Sequence, residues 1–167
     1  MSYFAAALAR SETGWTGREL ILDGIEDVET LAEELREFTG DGPGPALLLI
    51  EEDDEYVALV RVDGGAGSLA APRIFLSDRR AVLQGGLAAM LWAEDAAEAA
   101  EEETEDDEGT RPMSEPVGDR DLLSDLGTPA EALLGLCAEE GMLPADVLTV
   151  VGERAGFVDV LEGLRDA

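Results

Sequence analysis

Carboxylates are the chemically capable groups that this chain holds in excess. It carries 39 Asp and Glu against 11 Arg, has no Lys, His or Asn and a single Cys, and bears a formal net charge of −28 over 167 residues. Five of the acids stand together as Glu51-Glu52-Asp53-Asp54-Glu55. Oxygen ligands at that density suit a hard divalent cation, Mg²⁺ or Ca²⁺. A carboxylate and divalent-metal enzyme centred on Asp53, Asp54 and Glu55 is therefore one reading of the sequence. The segment lacks the alternating ligands and central glycine of a calcium loop, so the ordinary reading is a solvated turn at a hairpin tip.

Other candidate chemistries fall to the composition. Gly64-Gly65-Ala66-Gly67 resembles a phosphate cradle only superficially, because a P-loop requires the lysine that this chain lacks. Without histidine there is no Ser-His-Asp triad and no imidazole base. One cysteine cannot complete a zinc site of His and Cys ligands, and Cys137, beside Leu133, Leu134 and Leu136, reads as a buried core thiol. Arg73, Arg79 and Arg80 are the one local concentration of positive charge, suited to an acidic partner surface or to pairing with nearby carboxylates. Direct nucleic-acid binding is not expected, since phosphates are neutralised by Lys and Arg. Trp15, Trp92, Tyr3 and Tyr56 have no basic groove beside them and read as core or sheet-face residues. No residue is assigned to catalysis, a cofactor or a metal.

The elements expected to carry these groups are those of an α+β fold. Ser2–Arg10 and Trp15–Asp23 alternate as strands around the turn Ser11-Glu12-Thr13-Gly14. A helix capped by Asp27 follows, with Val28, Leu31, Ala32, Leu35 and Phe38 at helical spacing. Ala46–Glu52, Tyr56–Asp63 and Arg73–Ser77 are three more strands, giving an antiparallel sheet of about five. A second helix, Arg79–Trp92, starts at Asp78.

Charge then divides the chain. Residues 1–93 hold 17 acids and 7 Arg, a net −10; residues 94–120 hold 12 acids and 2 Arg, again −10; residues 121–167 hold 10 acids and 2 Arg, or −8. The middle stretch has few large apolar side chains to offset the entropy of ordering it, and it reads as an acidic disordered linker. The expected organisation is an α+β domain over 1–93, the linker over 94–120, and a small helical bundle over 121–167. In the bundle, Asp121–Leu126 is a helical turn ended by Gly127. Thr128-Pro129-Ala130-Glu131 has the form of a capping box with proline at the first helical position. Pro144 opens the next helix, and Gly156 separates it from a last one bearing Phe157, Val160, Leu161 and Leu164. About 47 residues is marginal for independent folding, so the bundle should dock on the sheet or on a partner. The N-terminal MSYFAAALARSETG has no basic region and reads as a strand, not a signal peptide. No run approaches the ~20 apolar residues of a membrane span, and a lone cysteine fits a reducing compartment. A cytoplasmic protein without a membrane segment is expected.

Several segments resemble one bacterial family: SYFAAALAR, IEDVETLAEELREF, LLLIEEDDEYVALVRVD, RIFLSD and TPAEALLGLCAEEGMLPADVLTVVGERAGF. Together they are similar to the tRNA adenosine deaminase-associated proteins of high-GC Gram-positive bacteria, over residues 2–80 and about 121–165. The resemblance implies an association with tRNA adenosine deaminase and brings no catalytic residues. A zinc deaminase needs a His or Cys beside its catalytic Glu and a Pro-Cys-x-x-Cys pair, which this sequence cannot supply. The expectation is a non-catalytic accessory protein whose partner is tRNA adenosine deaminase, a basic nucleic-acid enzyme. The partner-binding residues would be Glu101, Glu102, Glu103, Glu105, Asp106, Asp107 and Glu108, with Arg79 and Arg80. A homo-oligomeric structural protein is the alternative.

Overall fold

The computed structural model describes residues 3–11, 14–22, 24–25, 27–39, 45–52, 56–63, 72–78, 116–139 and 141–166. The second helix expected at Arg79–Trp92 and most of the acidic stretch lie outside these residues. Six strands form one antiparallel sheet: β1 (Tyr3–Ser11), β2 (Gly14–Glu19), β3 (Ala46–Glu52), β4 (Tyr56–Val62), β5 (Arg73–Leu76) and β6 (Val117–Gly118). Their order across the sheet is β2-β1-β3-β4-β5-β6. Helix α1 (Val28–Thr39) connects β2 to β3, and α2 (Ala130–Ala138), α3 (Pro144–Ala155) and α4 (Val158–Asp166) follow the sheet.

Strand periodicity explains why helices are needed on both faces. Side chains alternate across a sheet with period two, yet β3 and β4 are apolar at nearly every position. Leu48, Ile50, Ala58 and Val60 face one side, where they pack with Leu31, Ala32 and Leu35 of α1. Leu47, Leu49, Val57 and Leu59 face the other, against Leu148 and Val151 of α3, Leu161 of α4 and Phe157 between the two helices. The C-terminal helices therefore dock on the sheet and share a core with it. Helix α1 starts as its sequence suggests: Asp27 Oδ1 accepts the Thr30 N–H at 2.7 Å. That hydrogen bond holds the Asp27 carboxyl below its ordinary pKa. Glu29, Glu33 and Glu37 lie on the solvent side of the helix.

Close packing of α4 on the sheet depends on one small residue. A Cβ on Gly17 of β2 would lie 2.7 Å from both Leu8 Cδ2 and Val160 Cγ1, too near for carbon atoms. At the next corner, the Trp15 indole N–H donates to the Ala155 carbonyl at 3.1 Å. It thereby satisfies one of the carbonyls that the last turn of α3 leaves without an intrahelical partner.

Two local expectations change. Strand β6 falls at the end of the stretch assigned to the linker, where Leu76 pairs with Val117 and Phe75 with Gly118. The capping box at Thr128 does not form. Helix α2 begins one residue later than expected, with Pro129 as its N-cap and no side-chain cap. Gly127, at φ +100°, turns the chain so that Thr128 is carried into the core. There its N–H donates to the Leu123 carbonyl at 3.1 Å, and Thr128 Oγ1 has no hydrogen-bond partner.

Candidate functional site

The residues singled out for partner binding, Arg79, Arg80 and the run Glu101–Glu108, lie outside the described residues. So do Asp53, Asp54 and Glu55, the centre of the alternative metal-enzyme reading, and Gly64–Gly67. The first two carboxylates of the five-residue run are described, and both are already engaged. Glu51 receives a two-pronged contact from Arg165 of α4, Nη1 to Oε1 at 2.7 Å and Nη2 to Oε2 at 2.9 Å. The same guanidinium lies 4.8 Å from the centre of the Phe4 ring, the cross-strand partner of Glu51. Glu52 turns to the α1 side, where it is buried and accepts the Tyr56 hydroxyl at 2.5 Å. Among the described residues no group of three or more His, Cys, Asp or Glu is placed to hold a metal ion.

The densest polar arrangement among the described residues sits where β4 and β5 meet the C-terminal segment. Arg61 and Arg73 are register partners, so two guanidinium-bearing residues face each other on the side covered by α3 and α4. Directly opposed like charges destabilise a sheet. Three aspartates offset the pair. Arg61 forks onto Asp125, Nη1 to Oδ1 at 2.6 Å and Nη2 to Oδ2 at 2.8 Å. Its Nε reaches Asp63 Oδ1 at 3.0 Å, and Nη1 also donates to the Leu122 carbonyl at 2.7 Å. Arg73 Nε donates to Asp119 Oδ2 at 2.5 Å. Arg61 is 5% exposed, and four donor contacts fill most of its fork. This cluster fastens the C-terminal segment to the sheet.

Electrostatics follow the geometry. The hydrogen bond from Arg61 holds the Asp125 carboxyl below the ordinary carboxylate pKa, and the one from Arg73 does the same for Asp119. The Arg61 guanidinium is in turn held more firmly protonated by Asp125. A carboxylate with a lowered folded-state pKa contributes stability that is complete above its unfolded value and is lost as pH falls through the folded one. Asp125→Asn should therefore be less stable than the wild type at neutral pH, by about 1 kcal/mol, because the Asp125 side chain is 61% exposed and screened while the buried Arg61 keeps Asp63 and the Leu122 carbonyl. The gap should close below about pH 4. Urea titrations at neutral and acid pH check this; a gap that stays constant across the range contradicts it.

The remaining candidates have structural places. Cys137 is half-buried among apolar neighbours, and burial pushes its thiol up to about 11, away from a nucleophilic thiolate. Tyr3 Oη accepts the Leu22 N–H at 2.8 Å. Trp15 packs edge-on against Phe157, centroids 5.2 Å apart at 74°. The Arg73 expectation of pairing with a carboxylate is met by Asp119. Arg61, which fastens the fold, is the residue of this cluster that the sequence reading passed over. Its signal was present: one charge in the otherwise apolar strand Tyr56–Val62, which must be buried and therefore paired.

A model of the Rv3753c-like tRNA adenosine deaminase-associated proteins matches residues 3–158. The chain belongs to that family. The match runs from β1 to the first residue of α4 and so spans the sheet together with α2 and α3. Protein Rv3753c of Mycobacterium tuberculosis is 32% identical over 164 residues, covering 98% of this chain and 87% of that protein. No solved structure matches the chain. The family's description is of a protein associated with the deaminase, not of the deaminase itself. Among the described residues, no helix is long and apolar enough to cross a membrane.

Proposed function

We propose that this chain is a non-catalytic accessory protein that binds tRNA adenosine deaminase through its acidic run. Glu101, Glu102, Glu103, Glu105, Asp106, Asp107 and Glu108 make the contact, together with Arg79 and Arg80. The observation that carries this reading is the placement of the arginines. Arg61, Arg73 and Arg165 are each paired with carboxylates between the sheet and the C-terminal segment, while Arg18 lies 4.0 Å from Glu34. Three of the eleven arginines are thus occupied in fastening the fold, and a chain of net charge −28 presents mainly carboxylates to a partner. An enzyme that grips tRNA needs a basic surface, and opposite surfaces steer association at low salt. Self-association would instead bring like charges together.

Titrating the cognate deaminase with this protein tests the reading. Binding is expected at low ionic strength, weakening steeply as salt is added. Replacing the seven acids of the run with Gln and Asn should weaken it by at least about tenfold, or 1.4 kcal/mol, with an unchanged circular dichroism spectrum. Absence of a complex at low salt overturns the proposal, as does equal affinity for the neutralised variant.

A further inference from the structure

We propose that covalent continuity through residues 94–115 is dispensable to the fold, so that the acidic run can be shed while the sheet and its C-terminal helices stay assembled. The inference rests on where the chain leaves and rejoins the sheet. It departs at Leu76 and returns at Val117, and these two residues are register partners on neighbouring strands. The return point is fastened again by the Asp119 N–H, which donates to the Ile74 carbonyl at 2.8 Å, and by the Arg73–Asp119 pair. Beyond it, Arg61 holds Asp125 and the Leu122 carbonyl. The C-terminal segment then crosses the whole sheet. Val160 reaches Gly17 on the edge strand β2, Ala155 is bonded to Trp15, and Arg165 grips Glu51.

Each of these contacts joins residues 116–166 to residues 3–78 without using the connection between them. Cutting the connection makes the association bimolecular and forfeits an effective concentration in the millimolar range. An apolar interface covering one face of a sheet resembles those of obligate complexes and can hold at far lower concentrations. The electrostatic consequence is large. Residues 94–115 carry 11 acids and 1 Arg, so excising them takes the net charge from −28 to −18. The charge proposed to meet the partner is therefore separable from the fold that presents it. The proposal concerns the fold and stands whether or not the deaminase is that partner.

The test uses the full chain with protease recognition sequences inserted after Ala93 and after Gly109, cut singly or together. At about micromolar concentration, well below the effective concentration of a tethered pair, the fragments should elute as one species in native buffer. They should separate in concentrated urea. Fragments that part in native buffer overturn the proposal. A continuous chain lacking residues 94–115 supplies a second measurement. Loop length enters closure entropy only logarithmically, so it should unfold in one cooperative transition within about 5 °C of the wild type. Loss of that transition also overturns the proposal. Deaminase binding is read separately, so failure of one assay does not imply failure of the other.

Discussion

Phe157→Ala is expected to lower the unfolding free energy by about 3–5 kcal/mol, the range for removing a fully buried aromatic side chain. For a chain of this size that corresponds to a fall in melting temperature on the order of 10 °C. Phe157 is 0% exposed and lies at the corner between α3 and α4, packed with the sheet residues on the face those helices cover. Its ring lies edge-on to Trp15 and fits closely over Gly152, where an added Cβ would come within 3.0 Å of it. The corner has little room to collapse around a missing ring, because Gly156 and Phe157 both donate their N–H groups to the Gly152 carbonyl at 2.8 and 2.9 Å. Phe157→Leu retains most of the volume and should cost about 1–1.5 kcal/mol. Urea unfolding of both variants measures the difference; equal stability of Phe157→Ala and wild type would show that this corner is not part of the cooperative core.

Arg61→Met should cost about 2–4 kcal/mol, a little below the 3–5 typical when one partner of a buried pair is removed. The reduction comes from Asp125, whose side chain is 61% exposed and can regain water once its partner is gone. What cannot be regained so easily is the donor to the Leu122 carbonyl, since Leu122 is itself fully buried. An unmet buried acceptor costs about 1–3 kcal/mol. Arg61→Lys keeps the charge without the planar fork and should recover only part of the loss. A double-mutant cycle of Arg61→Met with Asp125→Asn, followed by chemical denaturation, separates the pair's coupling from the carbonyl's loss. Additivity of the two substitutions would mean that the pair contributes nothing beyond its separate members.

Much of the sheet was legible because its strands are bounded by strong punctuation. Gly14, the run Asp41–Pro45 and Asp53–Glu55 separate apolar segments of strand length, and α1 shows both its cap and its spacing. The acidic C-terminal segment alone leaves its docking open between sheet and partner, although β3 and β4 hold the relevant signal. Apolar residues at both parities of Leu47–Ile50 and Val57–Val60 require a cover on each face, and α1 covers one. The strand order was not readable, because placing β1 between β2 and β3 depends on contacts remote in sequence. Strand β6 is two residues long, with a glycine and a preceding proline, and has no periodicity to detect. The capping box at Thr128 failed because a local motif was overruled by the left-handed turn at Gly127, which sends that side chain inward. As for the candidate site, an arginine inside an apolar strand announces a buried partner, but only the fold reveals that Asp125, 64 residues later, supplies it.

The seat of Trp15 gives the protein an optical readout of its own assembly. The indole lies on an edge strand from the N-terminal part of the chain, yet its N–H is bonded to the end of α3 and its ring touches Phe157. Fluorescence depends on the polarity and hydrogen bonding around the emitting ring, so undocking of the C-terminal helices would change the emission of Trp15 directly. Trp92 is the one other tryptophan in the sequence. With it replaced by phenylalanine, a single native indole would follow the seating of those helices in real time, without any attached dye.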